Sequence, residues 1–188
     1  MIAPIGERGT LRDDFTAFKH FSQSEVSAAC EGGEWWRLDA GSLLALDTFA
    51  GYLVNGVRLI PSVAFMPTRT ASGIPTATWN RPETNAHSAD SWHYKGRAFD
   101  VMFPKSALAT AWLTALRFPA WGGVGAYPFW HVGGRTEGGL HLDTRSVHAE
   151  EGGRGFKVLW WVDQDRTYRY LTTEQDIREF LTVLRDAT

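Results

Sequence analysis

The 188-residue chain is predicted to fold as one α+β domain in which a small antiparallel sheet packs against helices. Three observations lead to this prediction. Apolar residues recur at helical spacing in several segments, and they alternate with polar residues in several shorter ones. No repeat, linker or low-complexity tract divides the chain. With 44% hydrophobic residues, it has enough apolar surface for one core.

The predicted helices each begin at a capping signal. Ser22 opens a short helix, because Ser22 to Glu25 has the form of a capping box. A second helix runs from Asp39 to Val54, and a third covers residues 106–117. The last covers residues 173–185, after a domain core of about residues 21–171. We treat residues 1–188 as a single domain.

Short strands are predicted between these helices. Residues 97–103, 123–127 and 139–143 each form one strand, and residues 156–162 pair with 167–171 as a hairpin. Upstream of them, a further strand at 57–65 is followed by a long loop, rich in Thr, Ser, Pro, Asn and Gly, that we place over the functional site. The sheet is expected to carry that site.

A histidine and an aspartate lie seven residues apart around the start of one predicted strand. Asp100 shares one face of this strand with Ala98 and Met102, so it lies inside an otherwise apolar strand. A carboxylate there is costly unless a cation or several donors compensate it. His93 precedes it, with Gly96 between them for a tight reversal. A second histidine, His141, follows in another predicted strand. Two imidazoles and one carboxylate are the protein ligands of a zinc ion that keeps a position open for water. The sequence therefore predicts a Zn²⁺ site at His93, Asp100 and His141.

Five residues in this stretch form a pattern: Ser91, His93, Gly96, Ala98 and Asp100. The pattern resembles that of the D-alanyl-D-alanine carboxypeptidase family of zinc peptidases. This family includes phage endolysins that cut L-alanyl-D-glutamate bonds, and the Hedgehog signalling domain shares its fold. Residues 122–127 followed by 140–145 resemble the family's ending, and the resemblance covers about residues 21 to 170.

The resemblance implies a zinc-dependent peptidase that cleaves peptides of bacterial cell-wall peptidoglycan, as a carboxypeptidase or an endolysin-type endopeptidase. Arg69 resembles a family arginine that stabilises the substrate carbonyl oxygen or binds a substrate carboxylate. Ser91 donates either to the substrate or to its own turn. Trp92, next to a predicted ligand, is expected to contact the substrate.

The sequence departs from the family pattern near the third ligand. Members often have an acid three positions before that histidine as the general base, but this position is Gly138 here. Glu137 is therefore our first candidate for the base. His131 competes with it as a transition-state donor, or as the third ligand in place of His141. Asp143 either orients a ligand imidazole or pairs with Arg145.

A different class of function remains open. The chain could be a non-catalytic virion, tail or wall-binding module whose zinc site is structural. Such a site would be closed by a fourth protein ligand, such as His131 or Asp143, whereas a catalytic site keeps water.

Charge and composition limit the partners. A net charge of −2 gives no electrostatic case for nucleic acid or an anionic membrane, and no segment has the ~20 apolar residues that span a bilayer. One cysteine excludes an intrachain disulfide. No signal peptide is visible. We expect a monomer, made in the host cytoplasm, encoded by a phage or prophage and acting on the cell wall after release, with a virion-associated enzyme as the alternative.

Overall fold

The computed structural model describes residues 15–53, 90–103, 105–132, 135–147 and 155–186. The predicted α+β class is confirmed, with a small sheet packed against helices. Its elements in chain order are α1 Gln23–Ala29, α2 Ala40–Leu53, β1 Ala98–Phe103, α3 Leu108–Arg117, β2 Gly123–Val132, β3 Arg135–Asp143, β4 Val158–Val162, β5 Tyr168–Tyr170 and α4 Glu174–Asp186. The predicted strand at 57–65 and the loop after it lie outside the described residues.

The five strands form one sheet in the order β1-β3-β2-β4-β5. The prediction of a purely antiparallel sheet is wrong at one place, because β2 and β4 pair in parallel while the other pairings are antiparallel. Both edges of β3 are already taken by β1 and β2. The chain that leaves β3 must therefore reverse and add to the free edge of β2, and one reversal makes β4 run in the direction of β2.

The two faces of the sheet carry different kinds of side chain. One face carries large apolar side chains that are almost fully buried, among them Phe99, Val101, Leu140 and Leu142. They belong to one hydrophobic cluster with the buried residues of all four helices. The period of two in a strand places the intervening positions on the other face. That face carries Asp100 of β1 and His141 and Asp143 of β3.

The β2–β3 hairpin is longer than predicted. The residues between the two predicted short strands extend both strands instead of forming a loop, so that β2 reaches Val132 and β3 begins at Arg135. The pairing register shifts between Tyr127 and Trp130, around Pro128. Proline has no N–H for the ladder, and a bulge is the usual way for a paired strand to contain it.

Most helix starts agree with the capping signals. Ser22 Oγ accepts from the Glu25 amide at 3.3 Å, and the Glu25 carboxylate accepts from the Ser22 amide at 2.8 Å, which completes the capping box. Asp39 caps α2 by accepting from the Ser42 amide at 2.8 Å. The third predicted helix starts later than expected, at Leu108, after a 3-10 turn over Lys105–Ala107. Among the described helices, none combines the length and apolar character needed to cross a membrane.

Candidate metal centre

The three predicted ligands meet on the face of the sheet opposite the helix-packed core. Asp100 in β1 and His141 in β3 are direct partners in the strand register. His93 comes from the turn that precedes β1. All three are buried, with 2%, 5% and 8% of the surfaces of His93, Asp100 and His141 exposed. The pairing of β1 with β3 therefore brings His93 and Asp100 together with His141, which lies far from them in the sequence.

The distances between the ligand atoms fit a metal ion. His141 Nδ1 lies 2.9 Å from Asp100 Oδ1 and 3.2 Å from His93 Nε2, and His93 Nε2 lies 3.6 Å from Asp100 Oδ2. Ligand atoms bound at about 2.0–2.2 Å to a tetrahedral ion are separated by about 3.3–3.6 Å. The two imidazole nitrogens and the two Asp100 oxygens thus lie at, or slightly inside, the separations of ligand atoms around one ion. The buried His93, Asp100 and His141 are close enough to hold a metal ion.

A tight turn positions His93. The Ser91 hydroxyl oxygen accepts a hydrogen bond from the His93 amide at 3.3 Å, and donation by this hydroxyl to the substrate stays a prediction. Gly96 closes the turn by donating to the His93 carbonyl at 3.1 Å. Its φ of +66° is left-handed, and a Cβ there would lie 2.2 Å from the Arg37 carbonyl oxygen. Only glycine satisfies both conditions, as the sequence predicted.

Asp143 fulfils both roles that the sequence left open. Its Oδ2 lies 3.2 Å from His141 Nε2, on the side of the ring that faces away from the other two ligands. The carboxylate is fully buried and accepts from Arg145 Nε at 2.7 Å and Nη2 at 2.5 Å. A carboxylate on one imidazole nitrogen fixes the tautomer, which leaves the lone pair of His141 Nδ1 for the metal.

The electrostatics of this group are those of a site prepared for a cation. Burial alone would lower the pKa of His141, but its hydrogen bonds to Asp100 and Asp143 and their charges outweigh burial and raise this pKa to about 9. Burial would raise the pKa of Asp143, but His141 and Arg145 hold it far below its usual range. The two carboxylates therefore favour positive charge at His141, whether a proton or a metal ion carries it.

Two aromatic residues that the sequence analysis did not select border the site. The Trp160 ring centroid lies 5.1 Å from that of His141. A Cβ on Gly125, which is paired with both residues, would lie 2.3 Å from Trp160 Cε2, so this glycine makes room for the indole. Burial, followed by the charge of Asp100, raises the pKa of the Tyr127 hydroxyl. The alternation from Gly123 to Tyr127 was the available signal, because it puts small residues and one phenol on the face of the ligands.

The predicted catalytic residues are placed only in part. Arg69 lies outside the described residues. Glu137 pairs with Trp130, and His131 pairs with Thr136, in the backbone register. The side chains of Glu137 and His131 are not among those described, so their predicted roles stay predictions.

The position three residues before His141 cannot supply a base on this strand. A Cβ on Gly138 would lie 2.9 Å from Leu108 Cβ, on the face that packs against α3. An odd spacing in a regular strand reverses the face, so an acid at this position would point into the core.

Asp143→Asn is expected to weaken metal binding by about 10- to 100-fold. Asparagine has one acceptor oxygen instead of two, so it cannot accept from both His141 and Arg145, and it removes the negative charge that balances Arg145. Competition with a chelator of known zinc affinity measures the change. Asp163→Asn, which removes a surface carboxylate bound to Arg169, is the matched control and should leave the affinity unchanged. An affinity of Asp143→Asn within twofold of the unsubstituted protein would contradict the orienting role.

No family model, curated protein or solved structure matches the chain. The fold and the site therefore define an α+β protein with a buried His-Asp-His centre that can bind a metal. Membership of the zinc peptidase family stays a prediction from the sequence pattern.

Proposed function

We propose that the protein is a zinc-dependent peptidase that cleaves peptide bonds in bacterial cell-wall peptidoglycan. The observation that carries this proposal is the three-membered ligand set. Among the described residues, no fourth histidine, cysteine or carboxylate joins His93, Asp100 and His141. Asp143, the neighbour that could have closed the site, contacts the far nitrogen of His141. Three protein ligands with an open position are typical of catalytic zinc, whereas structural zinc has four.

Zinc is the metal that we assign to the site. Two imidazole nitrogens and one carboxylate oxygen are a common donor set for catalytic zinc, and a tetrahedral arrangement matches the ligand spacing. When bound, zinc would polarise the substrate carbonyl and lower the pKa of its water toward ~7.

The protein groups would then handle the proton and the substrate. We assign the general base to Glu137, which would take a proton from the water and pass it to the leaving amine. Four strand positions separate it from His141, an even spacing but a distance of about 13 Å between Cα atoms at ~3.3 Å per residue. The base role therefore requires an extended glutamate side chain. Arg69 is assigned to the substrate carbonyl oxygen, for which its forked donors are suited.

The substrate class rests on the pattern from Ser91 to Asp100, which resembles that of peptidases acting on cell-wall peptides. The chemistry of the site alone requires only a hydrolysable amide. Whether the enzyme removes a terminal residue or cuts within a chain depends on which fragments it releases.

The test is release of free amino groups from purified peptidoglycan by the zinc-loaded protein. We expect release that is lost on chelation and restored by zinc, and mass analysis of the fragments identifies the bond. Glu137→Gln should reduce the rate by about 10²- to 10⁴-fold with zinc content unchanged. Glu179→Gln, an exposed glutamate of α4, is the control and should have no effect.

Two outcomes would contradict parts of the proposal. Undiminished turnover by Glu137→Gln would remove that residue from the base role. Full zinc occupancy together with binding to peptidoglycan and no bond cleavage would support the alternative function, a non-catalytic wall-binding or virion module with a structural zinc.

A further inference from the structure

Three cationic side chains gather around one tryptophan beside the candidate metal centre. Lys95 Nζ lies 4.0 Å from the centroid of the Trp92 ring, and the Cζ atoms of Arg97 and Arg145 lie 5.3 and 5.7 Å from it. All three lie within the ~6 Å at which a cation is attracted to the face of a ring. We call Trp92, Lys95, Arg97 and Arg145 the Trp92 cradle.

The positive charge of the cradle is compensated only in part. Arg145 is bound to the Asp143 carboxylate. Arg97 donates to the Thr144 hydroxyl at 3.2 Å and to its carbonyl at 2.8 Å, and both acceptors are neutral. Within the described ranges, no carboxylate forms an ion pair with Lys95 or Arg97. Like charges this close repel one another, and an anion would relieve that repulsion.

The cradle is accessible and lies next to the metal centre. Trp92 is half-buried and Lys95 is exposed, so a ligand can reach both. Trp92 directly precedes the ligand His93, and Asp143 connects Arg145 to the ligand His141. A residue of extended peptide spans about 3.3–3.6 Å, so the cradle and the metal centre can contact neighbouring parts of one short peptide.

We propose that the Trp92 cradle binds a free carboxylate of the peptide substrate, close to the bond that is cleaved. The statement about the substrate rests on the proposed peptidase function, whereas carboxylate binding itself does not. The charges of Lys95 and Arg97, which no carboxylate of the described ranges pairs, fit a small anion, and the net charge of −2 of the whole chain disfavours a polyanion. The ammonium of Lys95 suits a carboxylate, and Arg97 and Arg145 each keep guanidinium N–H donors beyond those bound to Thr144 and Asp143.

The test uses a blocked amino acid as the probe. ¹⁵N-labelled, zinc-loaded protein is titrated with N-acetylglycine, with its neutral analogue N-acetylglycinamide, and with inorganic phosphate. The indole N–H signal of Trp92, assigned by its loss in Trp92→Phe, reports binding. We expect a saturable shift with N-acetylglycine that weakens with added salt, and none with the amide.

Lys95→Gln is the decisive variant, because within the described ranges the Lys95 side chain makes no hydrogen bond or ion pair and contacts only the Trp92 ring. We expect it to weaken the binding of N-acetylglycine by about 1.5- to fivefold, the range for one exposed charge pair. Lys105→Gln is the matched control, since Lys105 Nζ lies 5.6 Å from the ring of Phe129, outside the cradle. The control should bind the probe as tightly as the unsubstituted protein.

Distinct results would overturn the proposal. Equal dissociation constants for Lys95→Gln and the unsubstituted protein would mean that the carboxylate binds elsewhere, for example at zinc. Tighter binding of phosphate would overturn the assignment of a carboxylate.

A kinetic comparison of peptides with free and amidated carboxylates tests the substrate part: Lys95→Gln should reduce the preference for the free acid. Failure to cleave either peptide would contradict the proposed function while leaving the binding result intact.

Discussion

Replacing Asp100 with asparagine is expected to reduce bound zinc from about one ion per chain to a level near zero at micromolar concentrations. Asp100 supplies the only anionic ligand atom among the three predicted ligands, and its Oδ1 lies 2.9 Å from His141 Nδ1. Asparagine keeps the shape of the side chain, so the buried strand around it can remain folded. Metal analysis after gel filtration measures the loss, and His93→Ala should give the same result.

Thermal unfolding provides an independent measurement of the same effect. A ligand that binds only the folded state stabilises it by about 2.7 kcal/mol at a hundred times its dissociation constant. Zinc should therefore raise the melting temperature of the unsubstituted protein and of the surface control Asp163→Asn. It should not raise that of Asp100→Asn. Equal zinc content and equal zinc-induced shifts in all three proteins would end the metal assignment and the peptidase proposal with it.

Gly96→Ala is expected to destabilise the protein by more than ~3 kcal/mol, because overlap with fixed backbone adds to the ~1–2 kcal/mol of a left-handed non-glycine residue. The new Cβ would lie 2.2 Å from the Arg37 carbonyl oxygen and 2.9 Å from Leu38 Cα, and neither atom belongs to a flexible side chain. Denaturant unfolding measures the change. Zinc affinity should fall as well, since the same turn holds His93.

Gly155→Ala separates the two causes. Gly155 has a φ of +77°, but a Cβ there would meet nothing within 4 Å. Its substitution should therefore cost only the conformational part, ~1–2 kcal/mol. If Gly96→Ala were no more damaging than Gly155→Ala, the close approach between the turn and Arg37 would not hold in solution.

The local part of the site could be predicted from residue patterns. Alternation predicted the strand of Asp100 and the strand of His141, and Gly96 indicated the turn between His93 and Asp100. The pairing of β1 with β3 then put Asp100 and His141 on one face. The period of two and the glycine turn depend only on neighbouring residues, so they apply whatever position the strand takes in the sheet. The capping residues Ser22 and Asp39 are correct for the same reason, because a cap bonds to amides within its own first turn.

Other features escaped prediction because they depend on contacts between distant segments. The length of the β2–β3 hairpin is set by pairing across a bulge. Trp160 borders His141 only because β4 adds to the free edge of β2. Lys95 and Arg97 meet Arg145 at one ring because the turn after His93 packs against the residues that follow β3. Nothing in the short-range pattern of any one of these segments indicates the others.

The order of the amino acids alone determined the α+β class, the three candidate ligand positions and the alternation of faces along each strand, since a period of two and a glycine turn act within a few residues. Only the tertiary structure decided which nitrogen of His141 faces its fellow ligands, that β4 runs parallel to β2, and that positive charge collects beside the metal centre. Strand edges and buried carboxylates are satisfied by whichever distant segment the fold brings to them.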